Sequence, residues 1–543
     1  MGNLRIFDLA VIIVYFGGIT VAGIYFARRS KNTEDYFLGG RKFSGWVIGL
    51  SMVGTGISSI SFMAYPADAY KTAWLRLMGA FTFPIGVLIA SRWFLPFYRR
   101  GKITSAYEYL EKRFGPSARL YAAAVFLIGQ VTRIGTVLFL LSLLIHELIG
   151  MDVYTAIVLS GVFVAFYTVA GGIEAVVWTD VAQTVVLVFG GLACLCYIVY
   201  RLPGGLGQIF EVAWADGKFR VAETMVNAGV PFAGTETAFD EILSFKETSW
   251  RPSLWHKTAL MMLLLGLNNW LYEHCSSQPH IQRYCASKTA HEARKAMWVN
   301  CCSSVPIWTY FMFLGTAMYV FFKTFPDESA YQMLVGVNGK EAEQILPYFV
   351  LQYLPAGFSG LVIAAVLAAA MSTIDSGINA IATIAVVDVY RRHLVQDREE
   401  GHYLRVARGV AIVASVLMIL IALWFVGLPR KTYQDIGIIM AALMAGGLLG
   451  VYMLGFFTPW GDGRAIVCAV VVTTVYTCWM GMQELGWIAR PAWAWLRTDA
   501  YYTGLLANAI MFLTALAVGI VLHRKGRDLT NLTVWTQDKT PLD

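Results

Sequence analysis

Charge is scarce in this sequence: Asp, Glu, Lys and Arg make up 14% of its 543 residues, while 57% are hydrophobic and the mean hydropathy is +0.58. A soluble chain of this length divides into roughly three or four domains, and each would need a charged surface that is not here. A Gly-x-x-x-x-Gly-Lys-Ser/Thr phosphate loop, a His-Glu-x-x-His pair and any long soluble insertion are also missing. Their absence excludes an ATP-driven pump with its own engine and a zinc protease of that type. The long polar loops contain no cysteine; the eight cysteines sit within or beside apolar segments, so no disulfide framework follows. The histidines are scattered without metal-ligand spacing.

What the chain has instead is apolar sequence in runs of about 20 residues, the length that crosses a bilayer. Hydropathy predicts about thirteen spans, at roughly 5 to 27, 42 to 70, 75 to 99, 117 to 149, 153 to 171, 177 to 201, 256 to 279, 291 to 325, 357 to 389, 405 to 427, 432 to 456, 464 to 483 and 502 to 523. The expectation is an all-α polytopic membrane protein. Its first span ends in Arg28-Arg29 and not at a small-residue cleavage site, so it is read as a retained helix. The net charge of +7 reports topology. The clusters Arg28/Arg29/Lys31, Arg99/Arg100/Lys102, Arg391/Arg392 and Arg524/Lys525/Arg527 all face inward if the N-terminus is outside and the C-terminus cytoplasmic. The setting is then a plasma membrane, or the inner membrane of a bacterium, with lipid as partner and nucleic acid not implied. The acidic loop at about 202 to 256 reads as a solvated outer cap.

Two spans are interrupted. The second carries Gly49, Gly54-Thr55-Gly56, Ser58-Ser59 and Pro66 in an apolar run, and the seventh reads Asn268-Asn269-Trp270-Leu271-Tyr272-Glu273-His274-Cys275-Ser276-Ser277-Gln278-Pro279. Unpaired backbone at membrane depth is tolerated where it lines a cavity, and secondary transporters place cargo and ions at such breaks. The breaks lie five spans apart, which fits an inverted repeat of five plus five helices. The division that follows is an extra helix and cytoplasmic loop (1–41), the first repeat (42–201), an extracellular loop (202–255), the second repeat (256–456), and two extra helices with a cytoplasmic tail (457–543).

Several side chains are costly at membrane depth unless they work there. Ala369, Ser372, Thr373 and Ser376 follow i, i+3, i+4, i+7, so the ninth span presents a column of hydroxyls. Hydroxyls with freed carbonyls suit a hard cation; back-bonding to the helix itself is the alternative. Asp180 and Asp375 stand in apolar sequence, where a carboxylate costs about 2.5–3.5 kcal/mol on insertion scales, so each needs a partner. Arg133, deep in the fourth span, offers a fork matched to a carboxylate, or else an ion pair with Glu273, Asp180 or Asp375.

Four motifs in order carry a resemblance: Thr33-Glu34-Asp35-Tyr36-Phe37-Leu38-Gly39-Gly40; Gly171-Gly172-Ile173-Glu174-Ala175-Val176-Val177-Trp178-Thr179-Asp180; Ile281-Gln282-Arg283; and Ala368-Ala369-Ala370-Met371-Ser372-Thr373-Ile374-Asp375-Ser376. Through them the chain resembles the sodium:solute symporter family, of LeuT-type fold, across spans one to eleven. The resemblance implies a sodium ion held by the carbonyls of Gly54, Ile57 and Ala369 and the hydroxyls of Ser372 and Thr373. It implies a second cation or coupling position at Asp180, Asp375 and Ser376, and an outer gate at Tyr433. The sialic-acid-transporting branch holds its substrate carboxylate at the position of Arg133, with Ser58 and Ser61 as neighbours; Glu273 in the seventh-span break completes the expected substrate-facing set. Arg76, Ala80 and Gly56 depart from that branch. The hexose contacts of the sugar-transporting branch would fall on Ala80, Trp270, Ser304 and Gly437, so hexose binding of that kind is not expected.

The expected function is a sodium-coupled symporter importing a carboxylate-bearing sugar acid such as sialic acid, with sodium as the coupling ion, acting as a monomer and not as an enzyme. The alternatives are a symporter for a neutral sugar, inositol or a monocarboxylate, and a non-transporting solute sensor on the same scaffold.

Overall fold

The computed structural model describes residues 5–27, 32–100, 103–227, 232, 242–246, 250–253, 258–337, 341–427, 446–484, 488, 500–522 and 528–538. Among these, nine helices are long and apolar enough to cross a bilayer, and the bent pair Gly45–Gly56 and Ser61–Lys71 makes a tenth. The other expected spans correspond to shorter apolar helices, Val153–Val169, Ala259–Cys275 and Leu448–Phe457. The first half of the expected eleventh span, with Tyr433 and Gly437, lies outside the described residues.

Burial sorts the helices by their surroundings. In the helix Phe358–Ile384 every residue from Val362 onward is buried, although the segment mixes Ser, Thr, Asp and Asn with its apolar residues. Helices Ile6–Ala27 and Glu400–Val426 instead expose Ile13, Val14, Val21, Ile412, Val413 and Leu420. Large apolar side chains directed outward are what a lipid surround requires. The central helix is fastened by the first one. Asp8, 3% exposed, accepts from the backbone nitrogens of Gly357 (2.7 Å) and Gly360 (2.8 Å), capping the start of Phe358–Ile384 from a neighbouring helix.

Helix Gly45–Gly56 stops because Ile57 (φ −102°, ψ 90°) and Ser58 (φ −79°, ψ 170°) leave helical geometry; the chain turns by 58° and restarts at Ser59. Ser58 caps the restart by accepting from the Ser61 nitrogen at 3.5 Å. Pro66 in the second half lies against Gly315, where an added Cβ would come within 2.1 Å of the Pro66 carbonyl oxygen. Glycine there lets the two helices touch backbone to backbone.

The seventh span breaks at Ser276 and Ser277, between Ala259–Cys275 and Gln278–Ala286. Pro279 in the first turn suits the restart, since its missing N–H would have no helical partner. The restarted half runs seven residues past the expected end at 279 and all of it is buried. The fifth and sixth expected spans form one run, Val153–Arg201, interrupted at Gly172, whose φ of +62° and close approach to Tyr36 only glycine accommodates. The loop expected as a solvated cap holds a helix, Gly205–Ala215, and a hairpin of Glu223–Val226 with Leu243–Lys246.

Candidate functional site

The end of Gly45–Gly56 meets the hydroxyl column of Phe358–Ile384. Thr373 Oγ1 lies 3.3 Å from the Ala369 carbonyl and 3.5 Å from that of Thr55, across the two helices. Gly54 is pressed into the same contact, a Cβ there falling 3.0 Å from Ser372 Oγ and 2.8 Å from Thr184 Oγ1. Because the helix ends at Gly56, carbonyls of its last turn leave the intrahelical ladder. Ser372 donates its hydroxyl proton to Asp180 Oδ1, which leaves the lone pairs of Ser372 Oγ for another partner. The hydroxyls of Ser372 and Thr373 and the carbonyls of Thr55 and Ala369 beside them are oxygen donors of the kind a hard cation takes. Ala369, Ser372, Thr373 and Gly54 are thus brought together, with Ile57 at the turn.

Asp180 has the partner its surroundings demand. Arg283, 1% exposed, places Nη2 2.7 Å from Asp180 Oδ2, 2.6 Å from Ser376 Oγ and 2.7 Å from Thr55 Oγ1. Its Nε donates to Ser51 Oγ (2.9 Å), which in turn donates to Asp180 Oδ2 (2.6 Å). Both broken helices and the central one therefore share a single buried ion pair. Asp375 lies one turn beyond Ser372 and takes its hydrogen bonds from other groups, accepting from the Tyr167 hydroxyl at 3.1 Å and the Ser376 nitrogen at 2.6 Å. At the expected second-cation position, then, Asp180 and Ser376 already share a positive side chain. The sequence motif containing Arg283 was visible, but its role was not.

The neighbouring Gln282 ties further stretches of the chain to the same junction. Its amide nitrogen, with two hydrogens to give, lies within hydrogen-bond distance of the Phe37 carbonyl (2.6 Å), Asn379 Oδ1 (2.8 Å) and Thr383 Oγ1 (3.0 Å), while the Tyr36 hydroxyl reaches the Val169 carbonyl at 3.2 Å. All four motifs meet on one side of the break.

On the other side lies a cavity of about 670 Å³, running from Gly56, Ser58 and Thr373 at the break to Ala222 and Thr224 beside the hairpin. That volume is in the range of small-molecule sites. Ser58, Ser61, Arg133 and Glu273 all line it. Arg133 Nη1 lies 3.5 Å from Glu273 Oε1, and His280 Nδ1 3.2 Å from Glu273 Oε2. Nearer the hairpin, Arg76 pairs with Asp68 at 2.8 Å. Trp270 clusters with Phe83 (ring centroids 4.2 Å) and Trp308 (5.1 Å), themselves 5.9 Å apart, and the three rings build one wall of the cavity. One lining element was not anticipated: the last helix, Thr503–Val521, brings Gly504, Leu505 and Asn508 to the cavity, and Asn508 donates to Asn268 Oδ1 at 3.1 Å. No signal in the hydropathy of that span distinguishes it from a lipid-facing one.

A model of the Sodium:solute symporter family matches residues 36–459. The sodium/sialic acid symporter SiaT of Proteus mirabilis is 31% identical, over 86% of this chain and 88% of the relative. The corresponding symporter NanT of Aliivibrio fischeri is 30% identical, with 86% of each covered. The human sodium-coupled monocarboxylate transporter 1 is 26% identical over 86% of this chain and 73% of its own. Among solved structures, the substrate-bound outward-open state of a Na+-coupled sialic acid symporter aligns with a TM-score of 0.81 and 27% identity, covering 96% of this chain and 99% of that one. The nucleobase-cation-symport transporter Mhp1 aligns at 0.52 with 14% identity over 88% and 92%, a likeness of fold alone.

Proposed function

The chain belongs to the sodium:solute symporter family, and on that premise we propose that it imports a carboxylate-bearing sugar acid of the sialic class together with sodium, by alternating access. It is a multi-pass membrane transporter of LeuT-type fold with two broken helices, coupled to sodium, and not an enzyme. Residues 42–201 and 256–456 are the two repeats in this reading, with the N-terminus outside, the C-terminus in the cytoplasm, and a single subunit sufficient for transport.

The observation that carries the proposal is the junction of the first break with the central helix, where Ser372 donates a hydrogen bond to Asp180, which leaves its oxygen lone pairs open to a cation. Sodium at Gly54, Ile57, Ala369, Ser372 and Thr373 would tie Gly45–Gly56 to Phe358–Ile384. Thr373 also lines the cavity, so ordering that junction orders the cargo site beside it. Asp180 and Arg283 hold the hydroxyls in place, and Asp375 with Ser376 extends the same network. In the cavity Arg133 receives the cargo carboxylate, flanked by Ser58 and Ser61, and Glu273 lies within reach of the rest of the cargo. Each ligand favours the closed arrangement only through contacts it gains there, and cargo bound over the ordered junction releases the outer side to close.

The test is uptake of labelled N-acetylneuraminate into proteoliposomes under an inward sodium gradient, against potassium controls, with wild type and Ser372→Ala. Accumulation driven by sodium and lost in the variant is the expected result. Sodium stimulation unchanged in Ser372→Ala sinks the cation assignment; uptake of a neutral sugar in place of the acid sinks the cargo assignment.

A further inference from the structure

Among the described residues, the charged groups facing the cavity are balanced. Arg133 and Arg76 stand against Glu273 and Asp68, with His274 and His280 beside them. The Arg76–Asp68 pair closes at 2.8 Å, and the buried pairs Arg283–Asp180 and Arg119–Asp388 close at 2.7 and 2.5 Å. The Arg133–Glu273 contact stays open at 3.5 Å, the outer limit of a hydrogen bond, and the Arg133 side chain is 38% exposed although it lies mid-helix in Pro116–Ile149. That exposure is to the cavity.

Glu273 does not depend on Arg133 for its place. It stands one turn before the break in the seventh span, with His280 Nδ1 at 3.2 Å and the Ser277 hydroxyl beside it. The His280 nitrogen, in a side chain only 8% exposed, faces Glu273 at ion-pair distance and has no other hydrogen-bond partner among the described residues. The pair is thus an anion and a cation, each anchored on its own helix, with acceptor capacity left over at the seventh-span break.

A cargo with only a carboxylate would draw Arg133 away and leave Glu273, with His280 and Ser277 beside it, near the new anion in a partly desolvated site, a weaker arrangement than one with the cation retained. A cargo with both charges resolves this. Its carboxylate takes Arg133, its cationic end takes Glu273, and every charge has an opposite neighbour. We propose that the preferred cargo bears a protonated amine as well as a carboxylate, an amino sugar acid in zwitterionic form, with Glu273 as the ammonium anchor. Asn268, Asn269, Asn300 and Ser304 on the adjoining walls offer the amide and hydroxyl groups that a hydroxylated ring needs. The inference rests on the carboxylate reading of Arg133 given above.

The experiment compares three acids that differ at one carbon. All three are used as methyl glycosides: that of N-acetylneuraminate carries an acetamide, that of neuraminic acid a free amine, and that of the corresponding deaminated nonulosonic acid a hydroxyl. Each competes against labelled N-acetylneuraminate in sodium-driven proteoliposome uptake by the full-length protein, wild type and Glu273→Gln. The expected outcome is at least tenfold tighter competition by the amine than by the acetamide in wild type, falling to twofold or less in Glu273→Gln. Glu273→Asp, which keeps the charge on a shorter arm, should retain the preference if Glu273→Gln does not fold. Equal competition by amine and acetamide in wild type, or an amine preference that survives in Glu273→Gln, overturns the inference while leaving sodium-coupled uptake of acids intact. Absence of sodium-driven uptake, with no competition from any of the three, overturns the symport reading and this inference with it.

Discussion

Asp180 illustrates what one residue's surroundings announce in advance. A carboxylate inside apolar sequence must be paired, and the structure pairs it with Arg283 at 2.7 Å. The demand was legible; the partner was not, because Arg283 lies in Gln278–Ala286, a stretch polar enough to read as loop yet buried throughout. Arg133 was legible for the same reason as Asp180, and its expected alternatives included Glu273, the residue it meets. Replacing Arg133 by Lys keeps the charge and removes the two-pronged geometry. With charge-assisted bonds contributing about 1.5–3 kcal/mol, that substitution should raise the KM for a carboxylate cargo by about tenfold or more, read from sodium-driven uptake. Equal transport would assign Arg133 to a structural pair. Lys218, in the segment beyond Gly205–Ala215, escaped notice entirely. It is fully buried, donating to the carbonyls of Tyr70 (3.0 Å) and Thr72 (2.8 Å), and burial lowers its pKa to about 7 against the opposing charges of Asp68 and Asp216. Between about pH 7 and 10.5 the unfolded chain holds a proton the folded one lacks, so stability contributed here rises with pH across that window, and the cost of burial is fully present below it. The thermal midpoint in detergent should therefore climb from pH 6.5 to 9 in wild type, and that climb should shrink in Lys218→Met.

Helices reveal themselves by apolar length and hide their breaks in polar spelling. The second-span break was readable because glycine and serine interrupt an apolar run, and the bend falls at Ile57 and Ser58. For the seventh span, the polar run from Asn268 to Pro279 contained the break, but its polarity also hid the helix that resumes. Side-chain bonds such as those of Gln282 to Phe37, Asn379 and Thr383 make that polarity compatible with burial, and they join residues distant in sequence. Helix Ile6–Ala27 looked like an addition to the repeats, yet Asp8 caps the central helix. Asp8→Ala should cost about 1–2 kcal/mol, the usual penalty for a lost N-cap, measured as a lowered thermal midpoint with sodium affinity retained in the folded fraction. A midpoint equal to wild type would show that the cap adds nothing.

For the molecule as a whole, the cavity reaches the hairpin side while the opposite side is closed by polar contacts. The segment Thr104–Ala106 is clasped there: Gln278 accepts from the Ala106 nitrogen (2.8 Å) and donates to the Thr104 carbonyl (3.1 Å), and Ser105 donates to Asp388. Asp388 also takes Arg119 at 2.5 Å, and Glu111 links Arg119 (2.6 Å) to Arg392 (2.7 Å). Burial works against the Glu111 carboxylate, but hydrogen bonds and charges from Arg119 and Arg392 hold its pKa below the ordinary range. In the proposed topology these basic groups lie on the cytoplasmic side, as the positive-inside rule expects. Asp388→Ala should loosen that closure. Losing a charge-assisted bond of about 1.5–3 kcal/mol shifts a two-state balance by at least about tenfold, so half-saturation by external sodium should move upward while the variant still transports. An unchanged sodium curve would assign the network to folding alone.

Gly504, Leu505 and Asn508 of the last helix form part of the cavity wall, far along the chain from Gly54, Ser372 and Thr373. The fit of a solute and the grip on sodium are thus spelled in separate stretches of the gene, so a change at Asn508 can redraw which solutes are accepted while the oxygens expected to hold sodium stay as they are.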